Sequence, residues 1–115
     1  MSDVTIYHNP ECGTSRKVLA ALQEAGVDLR IVDYRKTGWT RPQLEDLFEH
    51  MGVTPREAMR TKGSLAGELG LLEGASDDAI LNAMIGHPAL VERPIVQTPK
   101  GTRLCRPPET VQELL

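Results

Sequence analysis

The 115-residue sequence has few aromatic residues: one Trp, two Tyr and one Phe. Its core must therefore be aliphatic, and a platform for stacking single-stranded nucleic acid is not expected. It also lacks an excess of one charge, since 13 Lys and Arg against 16 Asp and Glu leave a net charge of -3. A mildly acidic chain does not attract polyanions in general, so no nucleic-acid partner is expected and any anion site must be local. No apolar run approaches the ~20 residues needed to span a bilayer, and Met1-Ser-Asp-Val-Thr-Ile-Tyr7 has neither a basic start nor an apolar signal core. No membrane partner and a cytoplasmic location are expected. Two cysteines make no disulfide framework and predict free thiols in a reducing compartment. Together with the three histidines they show no zinc spacing, so no metal is predicted. Internal repeats, low-complexity tracts and charge blocks are absent as well.

The length suits one domain with a real core. Val4 to Tyr7 reads as a first strand, broken by the turn signal Asn9-Pro10. From Ser15 onward Val18, Leu19, Leu22 and Ala25 share a helical face, and Gly26 stands where a C-cap belongs. Leu29 to Tyr34 reads as a second strand. Residues 40 to 87 look helical, with capping boxes at Thr40–Gln43 and Thr54–Glu57, a Ser76 cap, and an end at Gly86-His87-Pro88. Ile95 to Thr98 and Thr102 to Cys105 read as a hairpin through Pro99-Lys100-Gly101, and Pro108 opens a last helix. The order is β-α-β, a helical insertion, then β-β-α. It predicts an α/β protein with a mixed sheet of about four strands. With a cysteine just after the first strand, the plan is thioredoxin-like: a single domain over 1–115 with an insertion over about 40–87.

The chemistry concentrates in His8-Asn9-Pro10-Glu11-Cys12-Gly13-Thr14-Ser15-Arg16. Cys12 falls in the turn before the first helix, where free N–H groups and the helix dipole favour an anion. A thiolate is stabilised there, and an oxyanion could be cradled. Gly13 removes a side chain that would crowd the thiol, Thr14 and Ser15 offer hydroxyl donors, and His8 and Arg16 are nearby cationic candidates. The plainer alternative is a small residue buried in a turn, with Ser15 merely capping the helix. Position 15 is Ser, so there is no Cys-x-x-Cys pair for dithiol exchange. Position 18 is Val, so the Cys-x5-Arg loop of cysteine phosphatases is missing. A clamp for a multiply charged oxyanion must come from elsewhere, and Arg60, Arg93 and Arg106 stand where the fold plan could aim them at the turn. Pro94 occupies the place where a thioredoxin-like fold keeps a cis proline.

Three separated stretches resemble the glutathione- and glutaredoxin-dependent arsenate reductases of the ArsC family. They are Ile6 to Arg16; His87-Pro88 with Arg93-Pro94-Ile95-Val96; and Gly101 to Pro107. Ala58-Met59-Arg60 resembles the family's first substrate-arginine position. The resemblance implies that Cys12 is the nucleophile, that His8 helps activate it, and that Arg60, Arg93 and Arg106 bind arsenate, with Ser15 placed among the substrate-binding residues. It further implies a Cys12 thioarsenate adduct, glutathione as co-substrate and glutaredoxin as partner. One departure is the end at Leu115, where some members continue into a longer tail. Cys105, inside the third motif, is read as structural, with a resolving thiol as the alternative. Rival readings are a member of the same fold acting on another substrate, a Spx-type thioredoxin-like regulator (which resembles a Cys-x-x-Cys switch that Ser15 excludes), and a monothiol glutaredoxin holding an iron–sulfur cluster.

Overall fold

The computed structural model describes residues 3–62 and 65–115. They form two compact units, one from the chain up to Thr37 together with Arg93–Leu115, the other from Gly38–Glu92.

The first unit carries the sheet. Along β1 (Val4–His8) buried and half-buried residues alternate, so Val4, Ile6 and His8 share one inward face. α1 (Gly13–Glu24) supplies the crossover that a parallel pairing requires, and β2 (Leu29–Asp33) then lies parallel to β1 with His8 opposite Asp33. On the other side of β1, β3 (Ile95–Thr98) runs antiparallel, and β4 (Gly101–Leu104) pairs antiparallel with β3. The order β2-β1-β3-β4 is the mixed four-stranded sheet of a thioredoxin-like fold. Its core is Val4, Ile6, Val18, Leu22, Val96, Cys105, Val111 and Leu114, aliphatic as the scarcity of aromatics requires. Val18 and Leu22 come from one stripe of α1, and Ser15, three residues before Val18, lies on that same stripe and is fully buried.

Several boundaries differ from the sequence reading. The first helix begins at Gly13 with Cys12 as its N-cap, and Ser15 is already in its third position. The second strand stops at Asp33 because its carboxylate turns the chain: Oδ1 accepts the Arg35 N–H at 3.0 Å, and Tyr34 opens a short helix, α2 (Tyr34–Thr37). The last element, Pro108–Leu114, is 3₁₀ rather than α. Its buried residues Val111 and Leu114 are three apart, the spacing that aligns side chains on a three-residue turn.

The second unit holds α3 (Arg41–Met51), α4 (Pro55–Ala58) and α5 (Asp77–Gly86). Thr40 with Gln43 and Thr54 with Glu57 form the expected capping boxes, and Ser76 Oγ accepts the Ala79 N–H at 3.1 Å. The 40–87 stretch is not continuously helical, since α4 ends at Ala58 and α5 opens at Asp77. Between them Arg56 donates to the carbonyls of Leu71, Leu72 and Ala75 at 3.1, 2.9 and 2.8 Å. Among the described residues, no helix is long and apolar enough to cross a membrane.

Candidate active site

At the end of β1 the chain reverses in a tight turn. Cys12 N–H donates to the Asn9 carbonyl at 3.0 Å, while Glu11 N–H donates to Asn9 Oδ1 at 3.0 Å. Asn at the first place and Pro10 at the second favour such a turn, because Pro presets φ and the Asn side chain bonds its own backbone two residues on. Arg16 spans the turn from outside, with Nη1 donating to the Pro10 carbonyl at 3.0 Å. Cys12 is thereby delivered, extended at φ -91° and ψ 120°, to the first position before α1.

Behind the turn is a buried polar cluster. His8, Asn9 and Ser15 are 5%, 6% and 0% exposed. Ser15 Oγ accepts the Asn9 N–H at 3.1 Å and lies 2.5 Å from His8 Nδ1. These contacts are satisfied when the serine hydroxyl donates to Nδ1 and the ring keeps its proton on Nε2. Burial pushes the His8 pKa below its ordinary value of 6.5; Asp33 pulls it up, and Arg35 and Arg16 push it further down. His8 is thus favoured as a neutral ring, which corrects its reading as a cation beside the thiol. The hydroxyl of Ser15 faces inward along the α1 stripe, where it meets His8 and Asn9, while its backbone N–H is directed toward Cys12.

Cys12 itself is half-buried. Burial raises its thiol pKa, but the backbone N–H of Ser15 outweighs that effect together with the guanidinium groups of Arg106 and Arg93, and the net shift is downward. The Ser15 N–H does not form a formal cap bond with Cys12, yet it lies near enough to favour the thiolate. Arg106 Nη1 is 3.7 Å from Sγ and also donates to the Arg93 carbonyl at 2.9 Å. Arg93 and Arg106 each precede a cis proline, Pro94 and Pro107. The structure thus brings Cys12, Arg93 and Arg106 together in front of the turn and His8 and Ser15 behind it. Arg60 belongs to the second unit, where Met59 bridges Val91, the Arg60 N–H donates to Leu90 O at 2.7 Å, and its Nη1 donates to Glu92 Oε1 at 2.8 Å. A Cβ at Gly13 would meet only Arg16 Nη2, at 3.8 Å, so space around the thiol does not require glycine.

Cys105 is fully buried in the core, and burial pushes its thiol up to about 11. A thiol held neutral is a poor nucleophile. Tyr34, read as the last strand residue, was missed. It is 1% exposed, with its hydroxyl turned toward the Asn9 side chain in a looser contact than those above, and close enough to Arg93 and Cys12 to sense their charges. One signal was available, a scarce aromatic with a polar tip just past the strand that neighbours β1.

A cysteine whose thiol is shifted below its ordinary value, set at a helix N-terminus in a thioredoxin-like sheet with two arginines beside it, defines a thiol-dependent protein of that fold. The chain belongs to the ArsC family, whose profile matches residues 7–114. It is 56% identical over 113 residues to an arsenate reductase from Synechocystis, covering 97% of this chain and 81% of that one. Against an arsenate reductase from Escherichia coli it is 47% identical over 116 residues, covering 100% of this chain and 82% of the relative. A solved arsenate reductase from Vibrio cholerae superposes with a TM-score of 0.92 at 41% identity, covering 99% of this chain and 98% of that one.

Proposed function

We propose that this protein reduces arsenate to arsenite with Cys12 as its nucleophile. The supporting observation is the Cys12 thiol with Arg106 Nη1 3.7 Å away and Arg93 beside it. Positive charge there offsets the repulsion between a thiolate and an incoming oxyanion, and guanidinium groups hold tetrahedral oxyanions by paired hydrogen bonds. Arg60 joins that grip on the strength of its place in Ala58-Met59-Arg60. His8 assists indirectly, by fixing Ser15, whose backbone N–H favours the thiolate.

In the first step the Cys12 thiolate forms a sulfur–arsenic bond and an arsenate oxygen leaves as water, taking up a proton; arsenic stays pentavalent. Glutathione then adds to arsenic and displaces a second oxygen as water. A glutaredoxin thiolate attacks the glutathione sulfur, so that two thiols give up two electrons, leave as a mixed disulfide, and reduce arsenic to the trivalent state. Water cleaves the remaining sulfur–arsenic bond, releasing arsenite and Cys12. The cycle needs no metal or bound cofactor and suits the reducing cytoplasm. It is tested by arsenate-dependent NADPH consumption with glutathione, glutaredoxin and glutathione reductase. Oxidation of NADPH that depends on both thiol partners is expected, and none above the arsenate-free rate would overturn the reading.

A further inference from the structure

Asn9 is engaged at three atoms around the reactive thiol. Its carbonyl takes the Cys12 N–H at 3.0 Å, its Oδ1 takes the Glu11 N–H at 3.0 Å, and its own N–H donates to Ser15 Oγ at 3.1 Å. It therefore links the turn that carries Cys12, the helix position whose N–H favours the thiolate, and His8 through Ser15. It is also 6% exposed, so these contacts are shielded from competing water. Behind it stands Tyr34, 1% exposed, the first residue after the Asp33 that pairs with His8, with its hydroxyl toward the Asn9 side chain.

We propose that Asn9, backed by the Tyr34 hydroxyl, is a positioning residue that sets the reactivity of Cys12. This rests on Cys12 being the nucleophile of the reaction above. The pair never touches the oxyanion. It fixes the turn so that Sγ stays directed at Arg106 and Arg93 and the Ser15 N–H stays near the thiolate. A turn held only by its backbone bond would sample orientations in which Sγ loses these donors. Burial raises the Tyr34 hydroxyl above its ordinary value of 10.0, although Arg93 and the Asn9 side chain pull it back down, so it stays a neutral phenol while Cys12 ionises.

The test compares wild type with Asn9→Ala, Asn9→Ser, Tyr34→Phe and the Asn9→Ala/Tyr34→Phe double variant. Cys12 alkylation is followed against pH and arsenate turnover is followed in the coupled assay. Asn9→Ala is expected to move the alkylation midpoint upward and to lower kcat about tenfold with little change in KM, the scale of one lost buried hydrogen bond. Serine offers a short acceptor for the Glu11 N–H and should restore most of that loss. Tyr34→Phe should act in the same direction by about threefold, and the double variant should be no worse than Asn9→Ala, because both act through one side chain. An unmoved midpoint in Asn9→Ala, or single effects that multiply in the double variant, would overturn the proposal. If Asn9→Ala fails to fold by circular dichroism, the nearly isosteric Tyr34→Phe decides by the same midpoint. Alkylation needs no arsenate, so a wild type that reduces none would sink the functional reading while the midpoints still judged Asn9.

Discussion

Replacing Ser15 by Ala isolates the buried polar cluster. Its Oγ accepts the Asn9 N–H at 3.1 Å and contacts His8 Nδ1 at 2.5 Å, all within residues at most 6% exposed. Alanine fits the helix and leaves only a small void, so helix propensity and packing offset little of the effect. What is lost is satisfaction: a buried amide N–H and a buried ring nitrogen are left without their partner, each at about 1–3 kcal/mol. Allowing His8 to swing toward another acceptor, we expect a net loss of about 2–4 kcal/mol, a large share of the ~5–15 kcal/mol that holds a domain together. With 115 residues the unfolding entropy is about 0.24 kcal/mol/K, so the melting temperature should fall by about 8–17 °C. Calorimetry of Ser15→Ala beside Lys17→Ala checks this, since Lys17 is exposed on the same helix and should shift stability by less than about 0.5 kcal/mol. If Ser15→Ala melts within about 2 °C of wild type, water replaces the hydroxyl freely and the cluster does not hold the turn.

Three further outcomes are expected. In the wild type, alkylation of Cys12 should titrate below the ordinary thiol range, because the Ser15 N–H, Arg106 and Arg93 outweigh burial; a midpoint at or above that range would contradict it, and Cys12→Ser should abolish turnover while leaving the melting temperature nearly unchanged. Arg60→Ala, Arg93→Ala or Arg106→Ala should each cost about ten- to a hundredfold in kcat/KM, with Lys restoring only part since it lacks the two-pronged grip; full rescue by Lys would reduce the arginine requirement to charge alone. Burial raises the Cys105 thiol from an ordinary 9.0 to about 11. The unfolded chain therefore ionises first, and stability should fall by about 2 kcal/mol as pH rises from 9 to 11. Denaturant unfolding of Cys105→Ala should lack that slope and leave turnover largely intact; an identical slope would show that the thiol does not cause it.

The fold was legible where local chemistry and tertiary packing agree. The capping boxes at Thr40 and Thr54 start helices because each satisfies backbone N–H groups within four residues, with no help from distant elements. Gly26, at φ +72° just past α1, likewise marks a stop that any chain of that sequence would favour. The end of β2 was not legible. Leu29 to Tyr34 is a good strand by propensity, but the Asp33 carboxylate meets both the N–H and the guanidinium of Arg35 and bends the chain one residue early. The 3₁₀ form of Pro108–Leu114 was hidden in the same way, because two apolar residues three apart serve an α-helix nearly as well.

The site divides along the same line. Cys12 could be found because a cysteine between a strand and a helix has local reasons to be a thiolate, whereas Arg93 and Arg106 were only candidates until the hairpin of β3 and β4 brought them to it. The inward placement of the Ser15 hydroxyl was not legible, because one sequence cannot say which way a hydroxyl points. On a helical wheel it is a polar interruption of the Val18 and Leu22 stripe, and an interruption near a helix start reads as a cap or a ligand. Only the register of β1 shows why it is tolerated there: His8 is the third inward residue after Val4 and Ile6, so a buried nitrogen faces that position and requires a partner. Alanine or valine would continue the stripe and strand His8. The serine is thus dictated by a residue seven positions away on another element, and Asn9, between them in sequence and in space, inherits its importance from the same constraint.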